Sequence, residues 1–328
     1  MTADNRLSLP LLAGMPVLVT GGAGFIGSHL VDGLVERGAV VRVLDDFSTG
    51  TRRNLARHAD RVEVLAGDVR DLAACRRACQ GARGAFHLAA LGSVPRSMLD
   101  PATTIAVNVA GTANLFTAAR DERVARVVYA SSSSVYGDAP QLPKREGEEG
   151  APLSPYALSK AMGEQLAMQF GRCFGVELVG LRYFNVYGPR QSPEGPYAAV
   201  VPRFLAAALA GAPMEIHGDG DQSRDLTYVG DAVAATLLAA VAPAAACGRA
   251  YNVASGRRVT MNELAARLAT LAGSAAPPRH LAPRPGDVRD SLADLTAARE
   301  RLGYEPLVDL GDGLRQTWEQ CTAAATGR

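Results

Sequence analysis

The chain has 328 residues, enough to bury a sizeable core and, at about 150 residues per domain, to form two domains. Its 34 basic and 33 acidic side chains leave a net charge of +1, so no field favours nucleic acid or an anionic membrane as partner. Five cysteines (Cys75, Cys79, Cys173, Cys247 and Cys321) are odd in number and lack Cys-x-x-Cys spacing, which argues against a disulfide framework or a zinc knuckle, and no metal is expected.

In chain order, Met1–Gly14 places Asp4 before Arg6 around a short apolar patch, without the long apolar region of a secretory signal. Val17-Leu18-Val19-Thr20 then reads as a strand ending at Gly21-x-x-Gly24-x-x-Gly27. Apolar residues at Ile26, Leu30 and Leu34 predict a helix that stops at Gly38, and Val40–Leu44 predicts a second strand ending at Asp45-Asp46. Further strands are predicted at Val62–Leu65, Ala85–Leu88, Val127–Ala130 and Val176–Leu181, separated by helices at Asp71–Cys79, Thr103–Arg120 and Tyr156–Phe174. Such alternation predicts an α/β fold, a doubly wound parallel (Rossmann) sheet covered on both faces. Past Gly188 the pattern changes: Pro189, Pro193, Pro196 and Pro202 crowd together before helices at Arg203–Ala210, Val229–Ala242 and Met261–Leu271. The expected division is a dinucleotide-binding domain over 1–188, with a segment near 225–255 returning to it, and a smaller substrate-binding lobe over 189–328. The longest apolar stretch, Ala232–Ala246, contains Pro243 and is too short to span a bilayer, so a soluble, cytoplasmic protein is expected.

The glycine spacing carries the first chemistry. Three glycines between a strand and a helix allow a tight turn, bring backbone N–H groups close to a pyrophosphate, and place it at a helix N-terminus. Asp45 lies 18 residues past Gly27, where a carboxylate accepts hydrogen bonds from ribose hydroxyls and repels a 2′-phosphate. With Asp46 adding negative charge, the expected cofactor is NAD rather than NADP. Asp68 and Val69 follow the third strand at the adenine edge, and Leu88-Ala89-Ala90 lets a flat cofactor lie against the backbone.

Tyr156 and Lys160 carry the second. Residues four apart share a helix face, so an ammonium and a phenol address one small volume. A phenol with a pKa of about 10 is a poor base near neutrality, and a neighbouring cation, joined by the positive ring of an oxidised nicotinamide, brings it towards working pH. Taken alone, the spacing equally describes a surface lysine beside a half-buried tyrosine; the glycine turn upstream favours the catalytic reading.

Thr20–Gly27, Asp45-Asp46-Phe47-Ser48-Thr49-Gly50, Leu91–Ser97, Ser131–Gly137, Ser154–Lys160, Leu181–Gly188, Gly218-Asp219-Gly220 with Arg224-Asp225, and Arg284–Val288 together resemble the extended short-chain dehydrogenase/reductase family. The likeness runs from Val17 to about Trp318 and is greatest to the nucleotide-sugar 4-epimerase branch, within it to bacterial UDP-N-acetylglucosamine 4-epimerases. It implies Tyr156 as the base, Lys160 as its ribose-binding neighbour and Ser132 as a hydroxyl sharing the proton at the sugar O4. For NAD it implies Gly21, Gly24, Phe25, Ile26, Gly27, Asp45, Asp46, Ser48 and Gly50, with Asn108 and Tyr183 lining the cofactor site. For the sugar it implies Gly92, Ser93, Ser133, Ser134, Ala199, Val200 and Ser291. Asn185, Arg224 and Arg284 match diphosphate positions, and Asp287 a position near the uridine ribose. Guanidinium forks suit phosphate oxygens. A homodimer through the Thr103–Arg120 and Tyr156–Phe174 helices is likewise implied.

The serine run Ser132-Ser133-Ser134 is also a negative signal, because dehydratases and decarboxylases of the family carry a carboxylate after the catalytic hydroxyl. Oxidation and re-reduction at C4 of a UDP-hexose is the reaction that remains. A small Ser291, where relatives carry a tyrosine, leaves room for an N-acetyl group and favours UDP-GlcNAc/UDP-GalNAc. UDP-glucose stays open, as does UDP-glucuronate, whose carboxylate Arg190 is placed to meet. A dehydrogenase with net redox and a non-catalytic NAD-binding protein are the competing classes.

Overall fold

The computed structural model describes residues 12–193, 198–283 and 288–325, and side chains as far as 323. The first half of the chain runs β1 (Pro16–Thr20), α1 (Phe25–Glu36), β2 (Val40–Asp45), β3 (Val62–Ala66), α2 (Leu72–Cys79), β4 (Gly84–His87), α3 (Val94–Leu99), α4 (Pro101–Ile105), α5 (Gly111–Asp121) and β5 (Arg126–Ser132). There follow α6 (Pro155–Phe174), β6 (Glu177–Tyr183), β7 (Val186–Tyr187), α7 (Val200–Leu209), β8 (Glu215–His217), β9 (Ser223–Asp225), β10 (Thr227–Tyr228) and α8 (Val229–Val241). The chain closes with β11 (Arg249–Val253), β12 (Arg258–Thr260), α9 (Met261–Ala272), β13 (Arg279–Leu281), α10 (Thr296–Leu302) and α11 (Leu310–Ala325).

Seven parallel strands form one sheet in the order β3-β2-β1-β4-β5-β6-β11. This is the predicted doubly wound fold, and its strands are near-continuous apolar runs because both faces are covered. Helices α1 and α8 cover one face while α2, α5 and α6 cover the other, each over its own buried cluster. Leu18, Leu30, Phe116 and Leu181 are fully buried; each such side chain contributes about 1.5–3 kcal/mol relative to exposure. Cys75 and Cys79 sit in that second cluster, where burial pushes both thiols up to about 12. Strand β11 joins the sheet from beyond the proline-rich stretch, pairing with β6 from Arg249↔Val179 to Val253↔Tyr183.

The remaining C-terminal elements gather around a third cluster of α7, α9 and α11, with Phe204, Leu264 and Leu314 at its centre. Helix α9 starts at a reciprocal cap, Thr260 Oγ1 accepting from the Glu263 amide while the Glu263 carboxylate accepts from the Thr260 amide. Among the described residues no helix is long and apolar enough to cross a membrane.

The Thr103–Arg120 segment departs from the single helix expected. Between α4 and α5 a π-helical turn, Ala106–Ala110, inserts an extra residue. Such bulges turn one side chain out of helical register. Here the buried Asn108 accepts from the Leu91 amide and donates to the Leu91 carbonyl.

Candidate active site

All strand C-termini of the parallel sheet lie at one edge, and the order reverses between β1 and β4, where a crevice opens. A cavity of about 790 Å³ occupies it, with a smaller one of about 240 Å³ beside it.

The cofactor end of the large cavity is built from backbone. Gly21 has a φ of +69° and approaches so closely that a Cβ would stand 2.7 Å from the Ala89 nitrogen; at Gly27 it would stand 2.1 Å from the Gly21 carbonyl oxygen. No other residue fits those two places, which is the physical content of the glycine spacing. Helix α1 begins at Gly24, which supplies no side-chain cap, so the N–H groups of its first turn remain for an anion. Phe25 and Ile26 line the cavity there. At the end of β2, Asp45 accepts from the Ala23 amide through Oδ2 and from the Phe47 amide through Oδ1, both at 2.8 Å. Burial raises its pKa while those two bonds oppose the rise. Each carboxylate oxygen keeps a second lone pair, so the group can still take ribose hydroxyls. Asp46 and Ser48 line the same rim, as do Val69 and the Leu88-Ala89-Ala90 strand end. These residues fit a dinucleotide.

Tyr156, Lys160 and Ser132 converge on the cavity. Helix α6 opens on Ser154, whose Oγ accepts from the Ala157 amide at 3.1 Å, with Pro155 in the first turn. That start puts Tyr156 and Lys160 on one face. Lys160 Nζ lies 6.0 Å from the tyrosine ring centre and donates to the Ala130 carbonyl at 2.9 Å. Burial lowers its pKa to about 8 against the opposing pull of Glu164. Burial also raises the Tyr156 phenol, and a hydrogen bond from Ser132 works the other way.

The wall opposite carries Gly92, Ser133, Ser134, Asn185, Arg224 and Ser291. Ser134 Oγ is buried and has no partner among the described residues. Asn185, at φ +39°, donates to the Asp225 carbonyl at 3.0 Å and reaches Ser291 Oγ at 3.5 Å. Asn185, Ala199 and Arg224 border both cavities, and Val200 lines the smaller one.

The profile of the NAD dependent epimerase/dehydratase family matches residues 17–254. A UDP-glucose 4-epimerase from Mycolicibacterium smegmatis is 41% identical over 309 residues, 93% of this chain and 98% of that protein. The chain belongs to the NAD dependent epimerase/dehydratase family. A second relative, a dTDP-glucose 4,6-dehydratase from Streptomyces griseus, is 37% identical over 309 residues, 92% of each chain. Among solved structures, the UDP-N-acetylglucosamine 4-epimerase from Methanobrevibacter ruminantium in complex with UDP-N-acetylmuramic acid superposes with a TM-score of 0.91 at 37% identity, covering 95% of this chain and 99% of that one.

Within this epimerase/dehydratase family member several expected site residues stand elsewhere. Arg190 lies outside both cavity linings: it donates to His29 Nδ1 at 2.7 Å, to Asp32 at 2.6 Å and to the Asn54 carbonyl at 3.2 Å. A guanidinium already bound on three sides is a strut between α1 and the loop after β7. Asn108 is buried outside the lining, and its side-chain amide bonds to the backbone of Leu91, a lining residue, and to Ser159. Asp68 is half-buried and pairs with Arg70 at 2.5 Å. Gly50 backs onto Ala23, where a Cβ would stand 2.8 Å from the carbonyl carbon. Ser93 caps α3, accepting from the Arg96 amide at 3.2 Å. Tyr183 lines the cavity with its ring, while its hydroxyl lies 2.7 Å from Thr236 Oγ1. Arg284 and Asp287 lie outside the described residues.

Other lining residues escaped the sequence reading. Lys144 borders the cavity, is largely buried, and has a hydrogen bond to the Ala139 carbonyl. Its backbone is bonded to Leu292 and Asp294, a long-range pairing that no local pattern announces. Gln191 lines the cavity with a buried, unpartnered Oε1. Glu164, which is not on the lining, was findable, since it continues the four-residue spacing from Tyr156 and Lys160. It holds the buried Arg182 by two bonds of 2.9 and 2.7 Å and accepts from Ser131 Oγ.

Proposed function

We propose that this chain inverts C4 of a UDP-hexose, with UDP-GlcNAc/UDP-GalNAc as the preferred pair. The observation that carries the reading is the convergence of Tyr156, Lys160 and Ser132 on one cavity whose sugar side, among the described residues, holds hydroxyls and no free carboxylate. Of the carboxylates on the lining, Asp45 and Asp46 stand at the dinucleotide end, and Asp290 accepts from the Ser223 amide and hydroxyl. Among the described residues, elimination of water and decarboxylation therefore lack a base beside the reacting carbons. The 4-epimerase relatives agree with this, and the dehydratase relative marks the chemistry from which the serine run departs.

When bound, NAD supplies a hydride acceptor at C4 and, in its oxidised form, a positive ring that offsets the burial of the phenol. Tyr156 takes the 4-hydroxyl proton, directly or through Ser132, and later returns it. Lys160, fixed to the Ala130 carbonyl, holds positive charge beside the phenolate. Arg224 and Asn185 hold the diphosphate between the two cavities, leaving the 4-keto sugar free to turn and present its other face. The nucleoside takes the smaller cavity, lined by Phe204, Ile216 and Leu226.

Ser291 supports the N-acetylhexosamine preference by leaving space at C2, and Lys144, on the neighbouring segment, offers a donor there. With Arg190 pinned, UDP-glucuronate loses the cation expected to receive its carboxylate. Exposed Met98 and Leu99 on α3 and Leu158 and Met162 on α6 form an apolar surface that supports a homodimer.

Incubation with UDP-GlcNAc, UDP-glucose and UDP-glucuronate, with products resolved by chromatography, tests the reading. We expect C4 inversion of UDP-GlcNAc without net absorbance at 340 nm, and in Ser291→Tyr a shift of about 10-fold or more towards UDP-glucose. Stoichiometric NADH accumulation, or indifference of Ser291→Tyr to the sugar, would overturn it.

A further inference from the structure

Beneath the cavity an unbroken line of hydrogen bonds runs from the sheet to the catalytic helix. The Ala89 amide donates to Thr20 Oγ1 at 3.3 Å, and Thr20 Oγ1 lies 2.8 Å from His87 Nδ1. Across the imidazole, Nε2 lies 2.9 Å from Thr112 Oγ1, which donates to the Asn108 carbonyl at 2.6 Å. The Asn108 amide then donates to Ser159 Oγ at 3.0 Å, and Ser159 Oγ donates to the carbonyl of Tyr156 itself at 2.7 Å. Asn108 also clasps both backbone groups of Leu91, so the line ties the Ala89–Leu91 strand end to the turn bearing the phenol.

The protons in this line have one arrangement. A threonine hydroxyl has a single hydrogen. Thr112 directs its hydrogen to Asn108, so it must accept from Nε2–H. Nδ1 is then bare and takes the Thr20 hydrogen, while Thr20 oxygen receives the Ala89 amide. Only the neutral Nε2–H tautomer completes the sequence. His87 is kept neutral by burial and by the Lys160 ammonium, which together push its pKa down to about 3.

We propose that His87 is a positioning residue for the reaction: a neutral link, accepting at one end and donating at the other, that sets the Tyr156 turn of α6 against the Ala89–Leu91 backbone flooring the cavity. It touches neither cofactor nor substrate. Its effect is on the distance across which proton and hydride must both move, and small misplacements there are costly: about 1 Å can lower a rate ~100-fold. The activity readout rests on the epimerase reading above, whereas the exchange readout below does not.

Thr20 and Thr112 bond to opposite sides of the imidazole, so the isosteric variants Thr20→Val and Thr112→Val, and their combination, test the link in the NAD-loaded full chain. We expect each single change to lower kcat about 10-fold with KM within about twofold, and the double variant to fall little further than either single one. We also expect hydrogen exchange at Ala89 and Leu91 to quicken in Thr112→Val, although Thr112 touches neither amide. His87→Gln, which carries an acceptor and a donor at similar separation, should keep kcat within about fivefold, and His87→Leu should lose ~100-fold. Multiplicative losses in the double variant, faster exchange with unchanged kcat, or equal losses in His87→Gln and His87→Leu would overturn the proposal. Should the threonine variants not fold, the glutamine and leucine pair decides it. A wild-type protein that turns over no UDP-sugar, yet shows the coupled exchange, would sink the proposed function and leave the link standing.

Discussion

On the cofactor side of the cavity the surface is backbone: Gly21, Gly24 and Gly27, the bare start of α1, and the Leu88–Ala90 strand end. On the sugar side it is side chains from separated stretches, Ser132–Ser134, Asn185, Arg224 and Ser291, with Lys144 between them. The two halves answer different demands. A dinucleotide is one constant shape, and a tight backbone turn meets it with no adjustable parts. A sugar that must turn over between two hydride transfers needs a wall that grips the diphosphate and leaves the ring loose. The comparison teaches that the half with the greatest steric constraint is written in a few adjacent residues. The half that chooses the substrate is assembled from distant ones.

The largest effect is expected where the backbone half is broken. Gly27→Ala would force a Cβ to 2.1 Å from the Gly21 carbonyl, and we expect loss of NAD from the purified protein, measured after denaturation, with no detectable turnover. Retention of NAD by that variant would show that the cradle is not sterically set. A medium effect is expected where the halves meet. Lys160 is protonated below about 8 and neutral above it, so kcat should fall as pH rises through 8. Lys160→Arg, whose guanidinium stays charged, should move that limb upward while lowering the maximum. The sign for stability is opposite. An unfolded lysine holds its proton to 10.5, so burial destabilises the fold below pH 8 and stability rises between 8 and 10.5, measurable by urea titration. The smallest effect is expected at Arg190: Arg190→Met should change the UDP-glucuronate to UDP-glucose ratio less than about twofold, while lowering Tm through the lost Asp32 pair. A large fall in that ratio would return Arg190 to the sugar wall.

Much of the fold was legible because buried parallel strands and helical spacing are local signals. Thr20–Gly27, Asp45 and the Tyr156–Lys160 pair were legible for the same reason: each is a spacing inside one element or one turn. The bonds of Asn108 to Leu91 and Ser159 were not legible, because they follow a π-helical turn that the Thr103–Arg120 pattern does not announce. The pairing of Arg190 was not legible because its partners His29 and Asp32 lie some 160 residues earlier in the chain. Lys144 had no motif at all; it reaches the site by pairing with the 292–294 segment.

The sequence by itself determined the sheet, the cofactor class and the placing of Tyr156 and Lys160 on one helix face. Each follows from short-range stereochemistry, such as the absence of a Cβ or the pitch of a helix. Only the tertiary structure decided which charges face the sugar, which are consumed as struts, and how His87 joins the sheet to the catalytic helix. Those outcomes depend on contacts between residues far apart in the chain, where proximity is set by packing and not by spacing.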